Sequence, residues 1–425
     1  MSSTVAQLFA NITSIKSPPK IHRHRIPSLI RNMLKTLDIG KIRAETPGCS
    51  QKIHFNNAGS SLSPQSVTDA VISYLTREQE VGGYEAAEEA KYLLNSFYVE
   101  FAELLNCDES EIAFIENSTR AWELAVHSIK WAHGDQIITA ENEYGSNYLG
   151  LLHIAKRKSL DLITVPCDEF GVVSLNQLEK SITSKTKLIA LTHIASQRGD
   201  IQPATAVGAI AKKNNVIFLL DACQSAGQIN LDTKELKCDF LCGSGRKYLR
   251  GPRGTGFLFV NNKILQSLEP IFLDLHSASW RDSNSYEFVK TARMFECYER
   301  NVAAMIGLST AVQYLSKLGI NAIEERTSHL SSSLIAGLSE LQGIRVLEKS
   351  HHRSGIITFT KGNIDAKILR DELKKRNISV SVCKQQNSQL DLGTELTGDV
   401  TRVSLHYYNT QQEISEFLRA LEEIS

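Results

Sequence analysis

The stretch FLCGSGRKYLRGPRGTGFLFV (Phe240–Val260) decides the fold. It opens on an apolar run, Phe240–Cys242, breaks into Ser244-Gly245-Arg246-Lys247-Tyr248, and continues through a glycine-rich, arginine-bearing segment from Gly251 to Val260. A short run of continuous rather than alternating apolarity reads as a strand covered on both faces. Upstream, NNVIFLLDA (Asn214–Ala222) repeats the pattern, and its strand Val216–Leu220 ends on Asp221. Gln136–Ala140, Leu162–Val165 and Lys187–Thr192 are further runs of the same kind. Helical stretches lie between them, among them Gly145–Lys156 and Ala204–Lys213. Strand and helix in alternation predict an α/β layer with a mostly parallel sheet from about residue 50 to about 265.

After about residue 300 the pattern changes. A helix is expected over Asn301–Leu318, followed by a strand at Gly355–Thr360, a helix at Asp365–Arg376, strands at Ser379–Val382 and Arg402–Tyr407, and a helix at Glu413–Ile424. This is a smaller α+β unit, and the alternation within Arg402–Tyr407 predicts one solvated face. The expected division is therefore an N-terminal segment over 1–50, a large α/β domain over 51–300 and a small α+β domain over 301–425.

The totals narrow the class. A chain of 425 residues with 42% hydrophobic residues has enough material for two or three real cores. A formal net charge of +0 argues against nucleic acid or an acidic membrane surface as the main partner. No run approaches about 18 apolar residues, so no membrane-spanning helix is expected. The eight cysteines show neither disulfide nor zinc spacing. Reduced, buried thiols in a cytoplasmic protein account for them. Before Asp38 there is no acidic residue, whereas Lys16, Lys20, Arg23, Arg25, Arg31 and Lys35 are basic. A basic arm packed on the body or on a second subunit is the favoured reading, and an organellar transit segment is the alternative.

Chemistry-bearing residues collect at the ends of the predicted strands. An acid closing one strand and a lysine closing the next suggest a site for an aldehyde cofactor: the Lys247 amine holds the aldehyde as a Schiff base. The Asp221 carboxylate holds a protonated ring nitrogen, which keeps the ring an electron sink. Open α/β sheets place ligands at the carboxyl ends of their strands. Gln224 stands within reach of a ring oxygen. Asn117-Ser118-Thr119 precedes the helical stretch RAWELAVHSI, where a cap also directs N–H groups and hydroxyls at an anion. Ser118 and Thr119 are thus candidate phosphate contacts, joined by Ser244 and Arg246 from the lysine loop. His193–Gly199 follows the strand Lys187–Thr192, with Ser196 a candidate contact to the cofactor. Tyr144, in ENEYGSN (Glu141–Asn147), is placed to stack on an aromatic ring. Arg402 opens RVSLHYYNT (Arg402–Thr410) and suits bidentate binding of a substrate carboxylate.

Taken in order, these pieces resemble the class V aminotransferase superfamily of fold-type I pyridoxal-phosphate enzymes. The resemblance runs from FNNAGSSLSP (Phe55–Pro64) to RVSLHYYNT, and its most specific parts are LLDACQSAGQ (Leu219–Gln228) and GSGRKYLRGPRGTGFLFV (Gly243–Val260). It implies pyridoxal 5'-phosphate as cofactor and an amino acid as substrate. Lys247 resembles the Schiff-base lysine, Asp221 the partner of the pyridine nitrogen and Gln224 the contact to the ring oxygen. Ser118, Thr119, Ser244 and Arg246 resemble the phosphate contacts, Arg402 the carboxylate anchor and Tyr144 the aromatic over the ring.

The chain also departs from part of that family. Cysteine desulfurases usually carry His where Arg246 stands, and a mobile catalytic cysteine upstream of the carboxylate-binding arginine. Here the nearest cysteine, Cys383 in SVSVCKQQN (Ser379–Asn387), lies earlier and in another setting. A persulfide-forming desulfurase is therefore not expected. EVGGYEAAEEA (Glu80–Ala90) and ASQRGDIQP (Ala195–Pro203) resemble a subgroup with hercynylcysteine sulfoxide lyases and isopenicillin N epimerase-like proteins. That favours C–S bond cleavage on a cysteine-derived substrate, with aminotransferase or epimerase as alternatives. A catalytically idle binding or scaffold protein is the reading from another class. The resemblance implies a homodimer with its site at the subunit boundary, and Glu80–Tyr84 and Leu275–Trp280 are the segments expected to cross it. Within Glu80–Tyr84, Gly82-Gly83 reads equally as a tight turn between helices.

Overall fold

The computed structural model describes residues 36–394 and 398–424. The basic positions from Lys16 to Lys35 lie outside the described residues. A seven-stranded sheet forms the centre. Its strands are β1 (Ile112–Ile115), β2 (Gln136–Ala140), β3 (Asp161–Val165), β4 (Thr186–Thr192), β5 (Ile217–Asp221), β6 (Phe240–Ser244) and β7 (Gly256–Val260). Their order is β1-β7-β6-β5-β4-β2-β3. β2 is parallel to both β3 and β4, β4 to β5 and β5 to β6, while β7 is antiparallel to β6 and β1. The chain is therefore mixed α/β with a mostly parallel sheet, as expected, and β7 alone is reversed.

The continuous apolarity of the strands has a direct cause. Alternate residues of one strand enter different cores. Phe218, Leu220 and Leu241 join the cluster that holds the helices Lys91–Leu105, Ala204–Lys213 and Val302–Leu318. Leu219, Phe240 and Cys242 join the cluster under Ser118–Ser128 and Gly145–Lys158. Both faces are dry, so no polar alternation survives.

A second, four-stranded antiparallel sheet has the order β8-β9-β11-β10. These strands are β8 (Ile344–Val346), β9 (Ile356–Lys361), β10 (Ser381–Cys383) and β11 (Val400–Ser404). Helices Ile320–Glu340, Ala366–Lys375 and Gln411–Glu423 cover one face through Leu330, Leu334, Leu369, Leu373, Ile414 and Phe417. Two of them start on strong caps. Asp365 accepts from Lys367 and Ile368 N–H, and Thr410 forms a capping box with Glu413.

Three expectations change. The strand expected over Arg402–Tyr407 runs over Val400–Ser404 and is buried along its whole length. No face of it is solvated, because the polar side chains Arg402 and Ser404 point into contacts with other segments. The strand expected over Ser379–Val382 is split: Ile378–Ser379 pairs with Ile53–His54, and Ser381–Cys383 pairs with β11. The helix Val302–Leu318, expected to open the smaller unit, packs Met305, Leu308, Val312 and Leu315 into the large core. We propose Gly319, at φ 92°, as the division between the units in place of residue 300. The thiols also depart in part: Cys49, Cys223, Cys238 and Cys242 are buried, but Cys297 is exposed. Among the described residues no helix is long and apolar enough to cross a membrane, and no cluster of side chains fits a metal ion.

The loop after β4 joins the two sheets. Arg198 pairs with Asp391 at 2.7 Å and donates to Leu347 O at 2.9 Å. A Cβ on Gly199 would stand 1.9 Å from Ile356 O, so only glycine fits there. Asp200 accepts from Ser350 N–H at 2.8 Å, and Glu348 from Thr358 N–H and hydroxyl at 2.7 Å each. Asp200 Oδ2 and Glu348 Oε2 are buried without a partner. Burial, then the charge of Asp200, pushes the Glu348 carboxyl up to about 7 from an ordinary 4.5. A carboxyl with a higher pKa when folded binds more protons folded than unfolded. Its contribution to stability is present below pH 4.5 and lost as pH rises toward 7. Glu348→Gln keeps the accepting oxygen and removes the titration. The wild type is expected to lose more melting temperature than this variant between pH 5 and pH 8. Parallel losses in thermal melts would refute the assignment.

Candidate active site

The parallel strands deliver their carboxyl ends to one edge of the large sheet, and a cleft of about 200 Å3 opens there. Asn117, Ser118, Thr119, Tyr144, Asn147, Asp221, Cys223, Ser244, Arg246, Lys247, Gly254 and Thr255 line it. Seven of the residues picked from sequence therefore meet in one cavity: Ser118, Thr119, Tyr144, Asp221, Ser244, Arg246 and Lys247.

Local structure explains how each arrives. Asp221 ends β5 and is 3% exposed. Its Oδ1 accepts from Cys223 N–H at 2.7 Å, and its Oδ2 from Asn147 Nδ2 at 2.7 Å. Lys247 follows β6, is 7% exposed, and sets its Nζ 5.8 Å from the centre of the Tyr144 ring. Two glycines permit this packing. A Cβ on Gly245 would meet Thr255 Oγ1 at 2.1 Å, and one on Gly256 would meet Gly243 O at 2.6 Å and the Asn117 backbone at 3.2 Å. The lysine loop can thus lie directly on the start of the helix Ser118–Ser128. That helix is capped by the Asn117 side chain, which accepts from Arg120 N–H. Its free N–H groups, the hydroxyls of Thr119 and Ser244, and Arg246 form a donor-rich wall suited to an anion, while the Ser118 hydroxyl donates to Cys242 Sγ at 3.2 Å. Arg246 Nη1 is buried without a partner.

Three predicted residues stand outside the cleft lining. Gln224 is buried, donates to Ala58 O at 3.2 Å and leaves its Oε1 unpartnered. Ser196 turns its hydroxyl to Gln197 at 3.4 Å, and its carbonyl accepts from Arg402 Nη1 at 3.0 Å. Arg402 also donates to Asn56 Oδ1 at 3.4 Å, and its Nε is buried without a partner. Cys383 shares the Ser196 carbonyl at 3.4 Å from the edge strand β10, and burial pushes its thiol pKa up. Gly82, at φ 100°, makes the turn between the helices Gln65–Val81 and Gly83–Glu89.

Two residues, Asn147 in the cleft lining and Glu143 behind it, escaped the sequence reading. Asn147 holds Asp221 directly, and Glu143 holds Asn147 at 3.0 Å. Their i,i+4 spacing across a helix start was the available signal, and it reads equally as ordinary capping.

Comparison with known proteins gives the family and the fold. Residues 53–417 match the family model described as aminotransferase class-V. A probable cysteine desulfurase of Pyrococcus abyssi is 29% identical over 393 residues, covering 90% of this chain and 96% of that protein. The apo structure of a cysteine desulfurase from Thermococcus onnurineus NA1 superposes with a TM-score of 0.85 at 25% identity, covering 91% of this chain and 97% of the other. C-DES, a cystine C–S lyase solved with its product cysteine persulfide, shares the fold at 22% identity and a TM-score of 0.81, over 89% of this chain and 99% of its own.

Proposed function

Because the chain belongs to the aminotransferase class-V family, we propose that it is a pyridoxal 5'-phosphate enzyme cleaving the C–S bond of a cysteine-derived amino acid. The observation that carries the cofactor is the meeting of Lys247 and Asp221 in one cleft. The residues present fit that group. Arg246 Nη1, Gln224 Oε1 and Arg402 Nε are buried polar atoms without protein partners. The two guanidinium nitrogens are donors suited to a phosphate and a substrate carboxylate, and the Gln224 amide oxygen is an acceptor suited to a ring hydroxyl.

In this reading Ser118, Thr119, Ser244 and Arg246 hold the phosphate, Gln224 faces the ring oxygen and Tyr144 covers the ring. Ser196 supports the substrate side by holding Arg402 through its carbonyl. When bound, the cofactor supplies a sink for the electrons of the substrate α-carbon. Asp221 holds the proton of the ring nitrogen. Arg402 binds the substrate carboxylate and so fixes which bond at the α-carbon faces Lys247. The Lys247 amine is the base that takes the α-proton. The leaving sulfur departs with the bonding electron pair and takes up a proton, and water then hydrolyses the released three-carbon enamine, its oxygen replacing nitrogen, to give pyruvate and ammonia.

The relatives' name, cysteine desulfurase, supports chemistry at the same bond. A desulfurase also needs a thiolate that accepts sulfur. Cys383 lies on a strand, and burial keeps it in the thiol form, which supports the lyase reading over a persulfide carrier. We also place the protein as a homodimer. Tyr84, Leu275 and Trp280 lie on the two segments expected at the boundary, and they are 76%, 79% and 74% exposed.

The test is to load the purified protein with pyridoxal phosphate, then add cysteine, S-substituted cysteines, alanine and glutamate in turn. Pyruvate and ammonia accumulating together over many turnovers is the expected result. A single equivalent of keto acid per site points instead to an aminotransferase. Alanine formed with protein-bound sulfur points to a desulfurase. Failure to take up the cofactor sinks the enzyme reading in favour of a binding protein. Light scattering on the same sample is expected to give twice the chain mass, and a monomer would refute the dimer.

A further inference from the structure

Behind Asp221 lies a buried carboxylate that none of these roles uses. Glu143 is 4% exposed and sits between β2 and the helix Gly145–Lys158. Its Oε1 accepts from Tyr144 N–H at 2.8 Å, from Asn147 Nδ2 at 3.0 Å and from the Thr192 hydroxyl. Its Oε2 accepts from Thr192 N–H at 3.0 Å and from the Thr139 hydroxyl at 3.2 Å. One carboxylate thereby ties together the ends of β2 and β4, the backbone of Tyr144 and the first turn of the helix.

Asn147 is 2% exposed, and its amide nitrogen donates to both acids, to Glu143 at 3.0 Å and to Asp221 Oδ2 at 2.7 Å. An amide nitrogen has two protons, one for each acid. The reversed orientation would aim the amide oxygen at both carboxylates, so the neighbours fix the assignment. Cys223 N–H holds the other oxygen of Asp221 at 2.7 Å. The plane of the Asp221 carboxylate is thus set before any ligand arrives. The other ionisable groups of the cleft lining are Lys247, Arg246, Tyr144 and the thiol of Cys223, and burial keeps the thiols of Cys223 and Cys242 neutral.

We infer that Asn147, held by Glu143, is a positioning residue. It sets the orientation of Asp221, and the pair strengthens the hold of Asp221 on a protonated ring nitrogen. The physical reason is a second carboxylate one amide away. When ionised, Glu143 puts a negative charge behind Asp221 and so favours a cation in front of it. The influence is mutual: burial first, and the charge of Asp221 as well, push the Glu143 carboxyl up to about 7. Because Glu143 also holds the Tyr144 N–H, the same group places the residue proposed to cover the ring.

This inference rests on the cofactor reading above, and the experiment separates the two. Apo-protein is titrated with pyridoxal phosphate as wild type, Asn147→Ala, Asn147→Leu, Asp221→Ala and the Asn147→Ala/Asp221→Ala double variant. Affinity and the pH midpoint of the bound cofactor's visible absorption are read. Asn147→Ala is expected to bind about tenfold more weakly, the loss of one hydrogen bond to a charged group, and to shift the midpoint. Asn147→Leu keeps the volume and is expected to do the same, which covers the case where the alanine variant does not fold. If Asn147 acts through Asp221, the double variant binds no more weakly than Asp221→Ala alone. Unchanged affinity and midpoint in the Asn147 variants, beside a wild type that binds, overturn the inference and leave the cofactor reading intact. The same holds for full additivity in the double variant. A wild type that does not bind overturns both.

Discussion

Lys247→Ala is expected to abolish turnover, by at least about a thousandfold as for removal of a group that takes part in bond making, while the fold stays intact. Both halves of the expectation follow from where the side chain ends. Lys247 is 7% exposed, and its amine points over the Tyr144 ring at 5.8 Å into the cleft rather than into an ion pair. Truncation leaves no buried partner stranded, so the change in stability should stay under about 1 kcal/mol. Nothing else in the cleft lining can replace it as base. The remaining ionisable groups there are Asp221, Arg246, the buried thiol of Cys223 and the Tyr144 phenol. Borohydride reduction of the loaded wild type is expected to fix the cofactor to the peptide containing Lys247, and the variant should carry none. Full activity in a folded Lys247→Ala protein would dismantle the proposed function.

The same cleft shows what a sequence can and cannot display. Asp221 and Lys247 were legible because each ends a run of both-face burial, and such runs set strand ends without further information. The strand Gln136–Ala140 was readable for the same reason, as was Phe240–Ser244 up to Cys242. The direction of β7 was not, since apolarity says nothing about which way a strand runs. Arg402–Tyr407 misled for a physical reason. Alternating polar residues normally face water, but here Arg402 reaches the Ser196 carbonyl and Ser404 the Phe55 carbonyl. Buried polar function and solvent exposure leave the same alternation in a sequence. Glu143 and Asn147 were hidden in another way. Each alone is a common helix-start residue, and only the approach of Asp221, far along the chain, turns them into a bridge between two acids. Ser196 was found at the right place for a different contact, made by its carbonyl rather than its hydroxyl.

A second large effect is expected three residues beyond the lysine. Arg250 is 1% exposed and adopts φ 63°, unusual for any residue other than glycine. Its guanidinium donates to Leu62 O at 2.8 Å, Tyr407 Oη at 2.8 Å and Thr46 Oγ1 at 2.6 Å. The rings of Tyr408, Tyr407 and Tyr314 surround it at 4.7, 5.2 and 5.6 Å. One side chain thus joins the N-terminal segment, the loop after β11 and the loop that carries Lys247. Its partners are neutral, so the charge is held by hydrogen bonds and ring faces rather than by a counterion. Replacing a complete buried polar set with apolar groups can be neutral, but removing one member strands the others. Arg250→Ala would leave the Leu62 carbonyl and the Tyr407 hydroxyl unpaired inside a cavity, while the Thr46 hydroxyl keeps its bond to Ile42 O at 2.7 Å, with an expected loss of about 3–5 kcal/mol. Arg250→Lys cannot reach three acceptors from a single nitrogen in the planar fork's geometry and should recover only part of that loss. Arg250→Gly separates the contributions: it removes the same contacts but relieves the left-handed backbone. If denaturant unfolding ranks lysine above glycine, and glycine at or above alanine, the contacts dominate and the backbone cost is secondary. If glycine matches the wild type, strain governs the position and the contact network contributes nothing. Because the lysine loop is anchored at this point, the destabilised Arg250 variants should also release pyridoxal phosphate faster than the wild type does.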